Sequence, residues 1–521
     1  MRAERYLGAF ERFGISWLIF FFLCSVYLIT TQGYIQSSDG MSSYLVTRSI
    51  VERGNLSIGE ERKGLGVEGP DGKYYSKFGI GLSFAAVPLY YLGKISAPFL
   101  QMDGDFVTIF SCSLLNVFIV ALTGALIFQL GVLFGFEKCT AITLSIIYGL
   151  GSLAWFYSSV FYSQPLVSLL IVLALILSIK WRSVWYGSLL AGFSLGCAVI
   201  TRYETIILLP VFFLYIVFMG MKEKRRTKDI ILKLALLSLP FLFFVGLVLE
   251  YNYLRYGSYL STGYNLAQLF TGNPLGRLFH HFFSPGKGFF LYNPLFVFSL
   301  PGLYFFYKKR RKEFLLFLLI LALYVSFYVT IESWNVFAFG SRFMVPLIPL
   351  FVISLGFFFE RFGNRGCMRN VFIFLFILST FIEIAGLTVS PSRHYYKMRI
   401  KYGQEGMAPI IAHNFKEGLL VGQIFEVGEV LKNTIDKNKL QEMTGLALKR
   451  KSFLGEDDCF ILKYGLTLNV PNFWWFYLYL YGFPPGIILF IIIVLISVIF
   501  ICSFNLYRWT TASSPQGRRL E

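Results

Sequence analysis

Long apolar runs alternate along the chain with short polar stretches rich in Lys and Arg. The runs lie near 15–32, 107–131, 140–158, 160–179, 187–201, 205–219, 231–250, 289–307, 313–331, 343–359, 370–388 and 475–503. A run of about 18 or more apolar residues reads as a membrane-spanning helix. Twelve runs therefore predict an all-α polytopic membrane protein of about 12 transmembrane helices. Several runs hold only about 15 residues, or ~22 Å of helix, against a hydrocarbon core of about 30 Å. Helices that stop short leave room for a cavity open to water. The first run, Ile15 to Thr31, predicts a span and not a cleaved signal, because no small-residue cleavage site follows it.

The basic clusters orient the runs. They are Arg2, Arg5 and Arg12; Lys138; Lys180 and Arg182; Lys222 to Lys228; Lys308 to Lys312; Arg361, Arg365 and Arg369; and Arg508, Arg518 and Arg519. With twelve spans, every cluster faces one side, which the positive-inside rule makes cytoplasmic. A further apolar stretch at 79–97, with Pro88 in its middle and Lys94 near its end, would invert every later loop if it crossed. It is read as a re-entrant or in-plane segment. The expected organisation is a membrane module over 1–388 with outer loops at 33–78 and 251–288. A small extracytoplasmic segment at 389–474, a last transmembrane helix at 475–503 and a cytoplasmic tail at 504–521 complete the chain.

Composition agrees with this layout. The 521 residues are 56% hydrophobic and 15% charged, against about 25% charged in an average soluble domain. The aromatic share of 19% suits lipid-facing helices with interfacial belts. The net charge of +18 raises nucleic acid as a partner, but the basic residues sit in short clusters between apolar runs. They fit anionic headgroups, and no nucleic acid is expected. Of seven cysteines, Cys459 alone falls in a long outer segment, and no CxxC or HExxH spacing occurs, so no structural metal site is expected.

Candidate chemistry gathers in the outer loops. The first reads YIQSSDGMSSYLVTRSIVERGNLSI and places Asp39 within about ten residues of the membrane exit. From Met41 to Val51 the pattern is amphipathic and predicts a segment along the interface, with Arg48 on its polar side. Ser37, Ser38 and Asp39 are all good helix caps, so Asp39 reads either as a cap or as a catalytic acid. The stretch GPDGKYYSKFGIG follows a turn with Lys73, Tyr75 and Lys77, which suit a phosphate headgroup or plain snorkelling. Gly64-x-Gly66-x-x-Gly69 lacks a preceding strand and is a loop. Asp103-Gly104-Asp105 fits a metal-binding DxD but also a helix start, where acidic residues are favoured.

An Asp after the first helix, an amphipathic segment with Arg, and a DGxYYSKFGxG turn before a Pro-containing apolar run together resemble a known family. It is the GT-C superfamily of polyprenyl-phosphate-sugar-dependent glycosyltransferases, nearest its protein O-mannosyltransferase and lipid A aminoarabinose transferase branch. Further similar stretches are TRYETIILLP, NYLRYGSYLSTGY, FFSPGKGFFLYNP and FGSRFMVPLIPL, so the resemblance spans roughly residues 15–350. It implies a seven-helix module with a long first outer loop, and Asp39 as general base. One departure stands out. Where the nearest members carry an acidic residue before Pro, this chain has Gln164 before Pro165. Gln cannot act as a base but can hydrogen-bond a sugar hydroxyl.

Four more ionisable residues sit at the ends of apolar runs. Arg202 and Glu204 lie between two short runs, where charge is expensive and either functional or mutually paired. Lys287 follows Pro285-Gly286 and opens a run; Arg342 precedes another beside Gly340 and Ser341. Each reads as an anion-binding group or an interfacial anchor. The expected function is transfer of a single sugar from a polyprenyl-phosphate carrier to a lipid, glycan or protein acceptor. It would take place on the extracytoplasmic face of a bacterial inner membrane. The lipid-linked sugar is the donor and membrane lipid a partner; a divalent metal is left open. The alternatives are a lipid-linked sugar flippase or transporter, and a non-catalytic envelope subunit.

Overall fold

The computed structural model describes residues 8–59, 64–262, 273–331, 338–363, 365–436, 438–440, 469–480 and 482–511. The basic markers Arg2, Arg5, Arg518 and Arg519, together with Cys459, lie outside them. Apart from one two-stranded hairpin, Val67–Glu68 against Tyr74–Tyr75, the described residues form helices and their connections. Among the described residues, eight helical segments are long and apolar enough to cross a bilayer, and three shorter apolar helices join them, Lys138–Leu150, Gln164–Lys180 and Trp185–Thr201. The chain is a polytopic helical membrane protein.

Each of the twelve apolar runs is helical, but prolines and glycines redraw several boundaries. The run at 140–158 breaks after Leu150 and resumes as Ala154–Ser158. The run at 289–307 divides into Phe289–Tyr292, a 3-10 turn at Pro294–Phe298, and Ser299–Lys309. The run at 475–503 splits into Trp474–Leu480 and Pro485–Thr511. A proline has no N–H and fixes φ, so it is tolerated in a first helical turn and ends what precedes it. Pro165, Pro210 and Pro349 all occupy first turns. Small residues set the closest helix contacts. A Cβ on Gly192 would stand 2.1 Å from the Leu237 carbonyl oxygen. Only glycine lets Trp185–Thr201 and Thr227–Tyr256 approach so closely.

The helix Ser38–Arg53 departs from the interfacial segment expected of it. Eight of its residues, Gly40, Ser42 to Thr47 and Ser49, are buried. Its hydroxyls form a packing surface: Ser42 donates to Ser76 at 2.8 Å, Ser83 to the Ser43 carbonyl at 2.8 Å, and Thr47 to the Ser83 carbonyl at 3.0 Å. Small hydroxyl residues look polar in sequence yet fit a buried helix contact when each finds an acceptor. The partner helix is Gly81–Leu100, which holds Pro88 and Pro98.

The segment after residue 388 folds as two helices, Ser392–His413 and Leu419–Ile435, and residues 441–468 lie outside the described residues. Gln423 donates to the Ala385 carbonyl at 3.2 Å and to that of Val389, which ties the second helix to Gly366–Thr388. Arg393 is buried and pairs with Glu426 and, at 2.9 Å, with Glu429, closing the two helices on each other.

We propose that Gly81–Leu100 lies in the plane of the outer face without crossing, the arrangement that leaves every basic cluster on one side. Single cysteines at Lys94 and Asp103 in a cysteine-free background should then label from the extracytoplasmic side. Labelling from the cytoplasm would overturn the threading.

Candidate active site

Asp39 is the second residue of its helix, but it is not the cap. Ser37 occupies the N-cap and accepts from the Gly40 N–H at 3.0 Å. With that orphan donor satisfied, the Asp39 carboxylate turns outward and accepts from Arg342 Nη2 at 2.7 Å. The cap and the acid are thus different residues.

Arg342 opens the 3-10 turn Arg342–Leu347 ahead of Ile348–Phe362. It is 6% exposed, and its guanidinium lies 3.7 Å from the centre of the Tyr162 ring. Its Nε meets Gln164, at the start of the helix Gln164–Lys180. With the amide carbonyl turned toward the two guanidinium groups, Gln164 accepts from Arg342 Nε and from Arg202 Nη1, each at 2.9 Å. Two cations thus converge on one neutral carbonyl. An acidic side chain here would cancel a charge; Gln leaves it in place.

Arg202 ends Trp185–Thr201 in extended backbone. It pairs with Glu204, its Nη2 donates to the Tyr328 hydroxyl at 2.9 Å, and Tyr328 donates to Glu204 in turn. The mutual pairing of Arg202 and Glu204 is therefore real, and it coexists with the bridge through Gln164 to Arg342.

Lys287 belongs to the loop between Pro274–Phe283 and Phe289–Tyr292. Burial, then the nearby charge of Arg342, pushes its ammonium down to about 7. On the same side, His281 is buried, its Nδ1 3.4 Å from the Ser341 hydroxyl, and burial holds it down at about 4, so the ring is neutral near pH 7. Among the described residues the cluster brings Arg202, Lys287 and Arg342 together with the carboxylates of Asp39 and Glu204.

The other sequence candidates lie elsewhere. Arg48 is nine residues beyond Asp39, about two and a half helical turns, so it points away. It pairs with Glu52 at 3.0 Å and Asp105 at 3.5 Å. Asp103 caps Gly104–Ser113 by accepting from the Phe106 N–H at 2.9 Å, so the two acids of the DxD match serve separate contacts. Lys73 pairs with Asp71 at 3.4 Å, and the Tyr75 hydroxyl donates to Asp71 at 2.8 Å; both fasten the hairpin turn. Lys77 is exposed beside the Phe78 ring.

Sequence reasoning passed over Arg255. It is fully buried, donating to the Ser76 carbonyl at 2.9 Å, the Tyr203 hydroxyl at 2.8 Å and the Asn252 side chain at 2.5 Å, with the Tyr251 ring 4.1 Å away. It joins the base of the hairpin to the turn after Arg202. A basic residue among four tyrosines, Tyr251, Tyr253, Tyr256 and Tyr259, was the available signal. Tyr162 and Tyr328 gave none, being two aromatics among many.

Three site-bearing loops also touch the segment after residue 388. Ser284 donates to the Ala412 carbonyl at 2.7 Å near Lys287, and Tyr395 to the Ala338 carbonyl at 3.0 Å ahead of Arg342. Ser390 donates to Gln36 at 2.9 Å ahead of Asp39.

No family model and no curated protein matches the chain. Among solved structures it is similar to ArnT from Cupriavidus metallidurans bound to undecaprenyl phosphate. That match has 12% identity over 88% of this chain and 84% of that one, with a TM-score of 0.48. The apo form of the same protein gives 12%, 88%, 84% and 0.49. The Archaeoglobus fulgidus oligosaccharyltransferase in its apo form matches at 13% identity over 84% of this chain and 60% of that one, with a TM-score of 0.40. Likenesses this distant transfer no residue roles, so the chemistry rests on the cluster itself.

Lys287 gives the cluster a pH dependence of known sign. Its folded pKa lies below that of a free lysine, so it is charged below about pH 7 and neutral above. Affinity of the cluster for a phosphate monoester should fall as pH rises past 7, by at most about tenfold per unit, since one proton is linked to one anion. A phosphate monoester, with its second pKa near 6, is already mostly dianionic there. Binding titrations across this range should show the fall, and Lys287→Arg should flatten it. An equal slope in the variant would remove Lys287 from the anion site.

Proposed function

We propose that this chain is a membrane glycosyltransferase that moves a single sugar from a polyprenyl-phosphate carrier to an acceptor on the extracytoplasmic face. The observation that carries the reading is the 2.7 Å contact between Asp39 and the buried Arg342, beside Lys287 and Arg202. A base and an anion site share one guanidinium.

In this reading the donor phosphate lies against Lys287 and Arg342, with its lipid tail among the helices. The acceptor hydroxyl attacks the anomeric carbon from the side opposite the phosphate, and its proton passes to Asp39. The bond from the anomeric carbon to the phosphate oxygen breaks, and polyprenyl phosphate leaves with the electron pair, inverting the configuration. As negative charge grows on the departing oxygen, Arg342 and Lys287 stabilise it. Arg342 drawn toward the phosphate releases the Asp39 carboxylate to face the acceptor hydroxyl. Gln164 joins Arg342 to Arg202 through a neutral carbonyl and leaves the charge of Arg342 for the donor. The helices over 392–435 abut the loops of Asp39, Lys287 and Arg342, where an acceptor would enter, and the segment 389–474 sets acceptor choice.

Asp39→Asn keeps the size and the contact to Arg342 but removes the basicity. General-base assistance is worth about 10² to 10⁴ in rate, so turnover should fall by at least about 10² with donor affinity little changed. The assay is transfer from a labelled lipid-linked sugar in proteoliposomes. Normal turnover in the variant would reduce Asp39 to a structural residue, and movement of the lipid across the bilayer without transfer would indicate a flippase.

Exchanging residues 389–474 for those of a relative with another acceptor should change the acceptor used and leave donor cleavage intact. An unchanged acceptor preference would sink this role.

A further inference from the structure

The opposite end of the same helices carries a second charged cleft that the transfer reaction does not use. Gln164–Lys180 begins at the Asp39 cluster and ends about 24 Å away, at 1.5 Å per residue, among the basic clusters. There, four helices line a narrow cleft that opens to the surface. Its polar lining includes Ser178, Arg182, Tyr215, Glu223, Arg225 and Lys233.

Two features show that the cleft is built to hold something. Lys233 is 8% exposed and lines it, donating to the Arg182 carbonyl. A lysine side chain is rarely so buried without an anion or a specific pairing. Secondly, the Ser178 hydroxyl is buried and makes no hydrogen bond, although a helical serine ordinarily donates to the carbonyl four residues earlier. The Tyr215 hydroxyl, beside Arg182, likewise makes no hydrogen bond of acceptable geometry. Buried hydroxyls left this way mark a place for a polar ligand atom.

The charge balance names the ligand class. Within the lining, Arg182, Arg225 and Lys233 face a single carboxylate, Glu223, which binds Arg182 at 3.1 Å and Arg225 at 2.7 Å. Asp229 acts on Lys233 and Glu313 on Tyr215 from outside the lining. Large apolar side chains, Leu214, Phe218, Ile231 and Leu232, stand exposed on the helices around it. A cationic cleft with free hydroxyls, set among lipid-facing apolar residues, fits a phosphodiester headgroup with its acyl chains on the adjoining helix faces. We infer that this cleft binds an anionic phospholipid of the leaflet on the basic side, one per chain.

The test uses the full chain purified in detergent and titrated with phosphatidylglycerol under native mass spectrometry. Phosphatidylcholine of the same acyl chains and inorganic phosphate serve as comparisons. One phosphatidylglycerol should bind in preference to phosphatidylcholine. The double variant Arg225→Gln/Lys233→Gln should lose about tenfold or more in affinity, and Lys233→Arg should keep it. Circular dichroism checks that the double variant is folded; if it is not, Arg182→Gln/Arg225→Gln, which leaves the buried lysine in place, should show the same loss. Undiminished binding by a folded double variant, or equal binding of phosphatidylcholine, would overturn the inference. Full displacement of the lipid by inorganic phosphate would also overturn it, because the ligand would then be free phosphate. Binding is read without any sugar transfer, so the result is independent of the function proposed for Asp39.

Discussion

A guanidinium buried at one end of a membrane domain must have its N–H groups and its charge answered locally, and Arg342 is answered from three directions. Asp39 supplies the counter-charge at 2.7 Å, Gln164 a carbonyl at 2.9 Å, and Tyr162 the face of its ring at 3.7 Å. A charge held this deep tolerates little displacement, because any partner that leaves exposes an uncompensated ion in a medium of low dielectric. The positions of the loop that opens Ser38–Arg53, the start of Gln164–Lys180 and the turn before Ile348–Phe362 are therefore one constraint and not three. The same requirement gives the cluster its chemistry. A guanidinium balanced by a carboxylate and a neutral amide can exchange part of that balance for an incoming anion.

The neighbouring Arg202 repeats the theme with a different result. Glu204 neutralises it and Tyr328 bridges the two, so its charge is largely spent within the protein. At Lys287, burial and the nearby charge of Arg342 both disfavour the charged form. The cluster thus grades from a neutralised arginine through a shared one to a lysine that titrates near neutrality. The loop of Lys287 is tied to Ala412 through Ser284. The helices after residue 388 consequently belong to the mechanical support of the site, although they lie far from Asp39 in sequence.

Buried cations organise the rest of the molecule in the same way. Arg255 fastens the base of the hairpin to the turn after Arg202 through backbone carbonyls and tyrosines. Arg393 closes the two helices of the late segment on Glu426 and Glu429. Lys233 anchors the opposite end of the bundle. In a chain with few charges for its size, the buried ones fix how its loops and helices meet.

Sequence alone determined that the chain is a helical membrane protein and which residues end its apolar runs. Hydrophobicity over about 18 residues is a local property that tertiary contacts seldom override. It also marked Asp39, Gln164, Arg202, Glu204, Lys287 and Arg342 as costly or unusual where they stand. Local patterns could not say that Ser37 would take the cap and free Asp39, since three adjacent residues had the same capping chemistry. They gave no sign that Ser42 and Ser43 would be buried against the next helix, because a hydroxyl satisfied by a neighbouring helix looks no different in sequence from one satisfied by water. Only the tertiary structure decided that Arg342 reaches back across the chain to Asp39, that Gln164 joins two arginines, and that Arg48 pairs with Asp105 instead. Those choices depend on which loops the packing of helices brings within about 3 Å, a distance that hydrogen bonding requires and that no periodicity along one strand of sequence encodes.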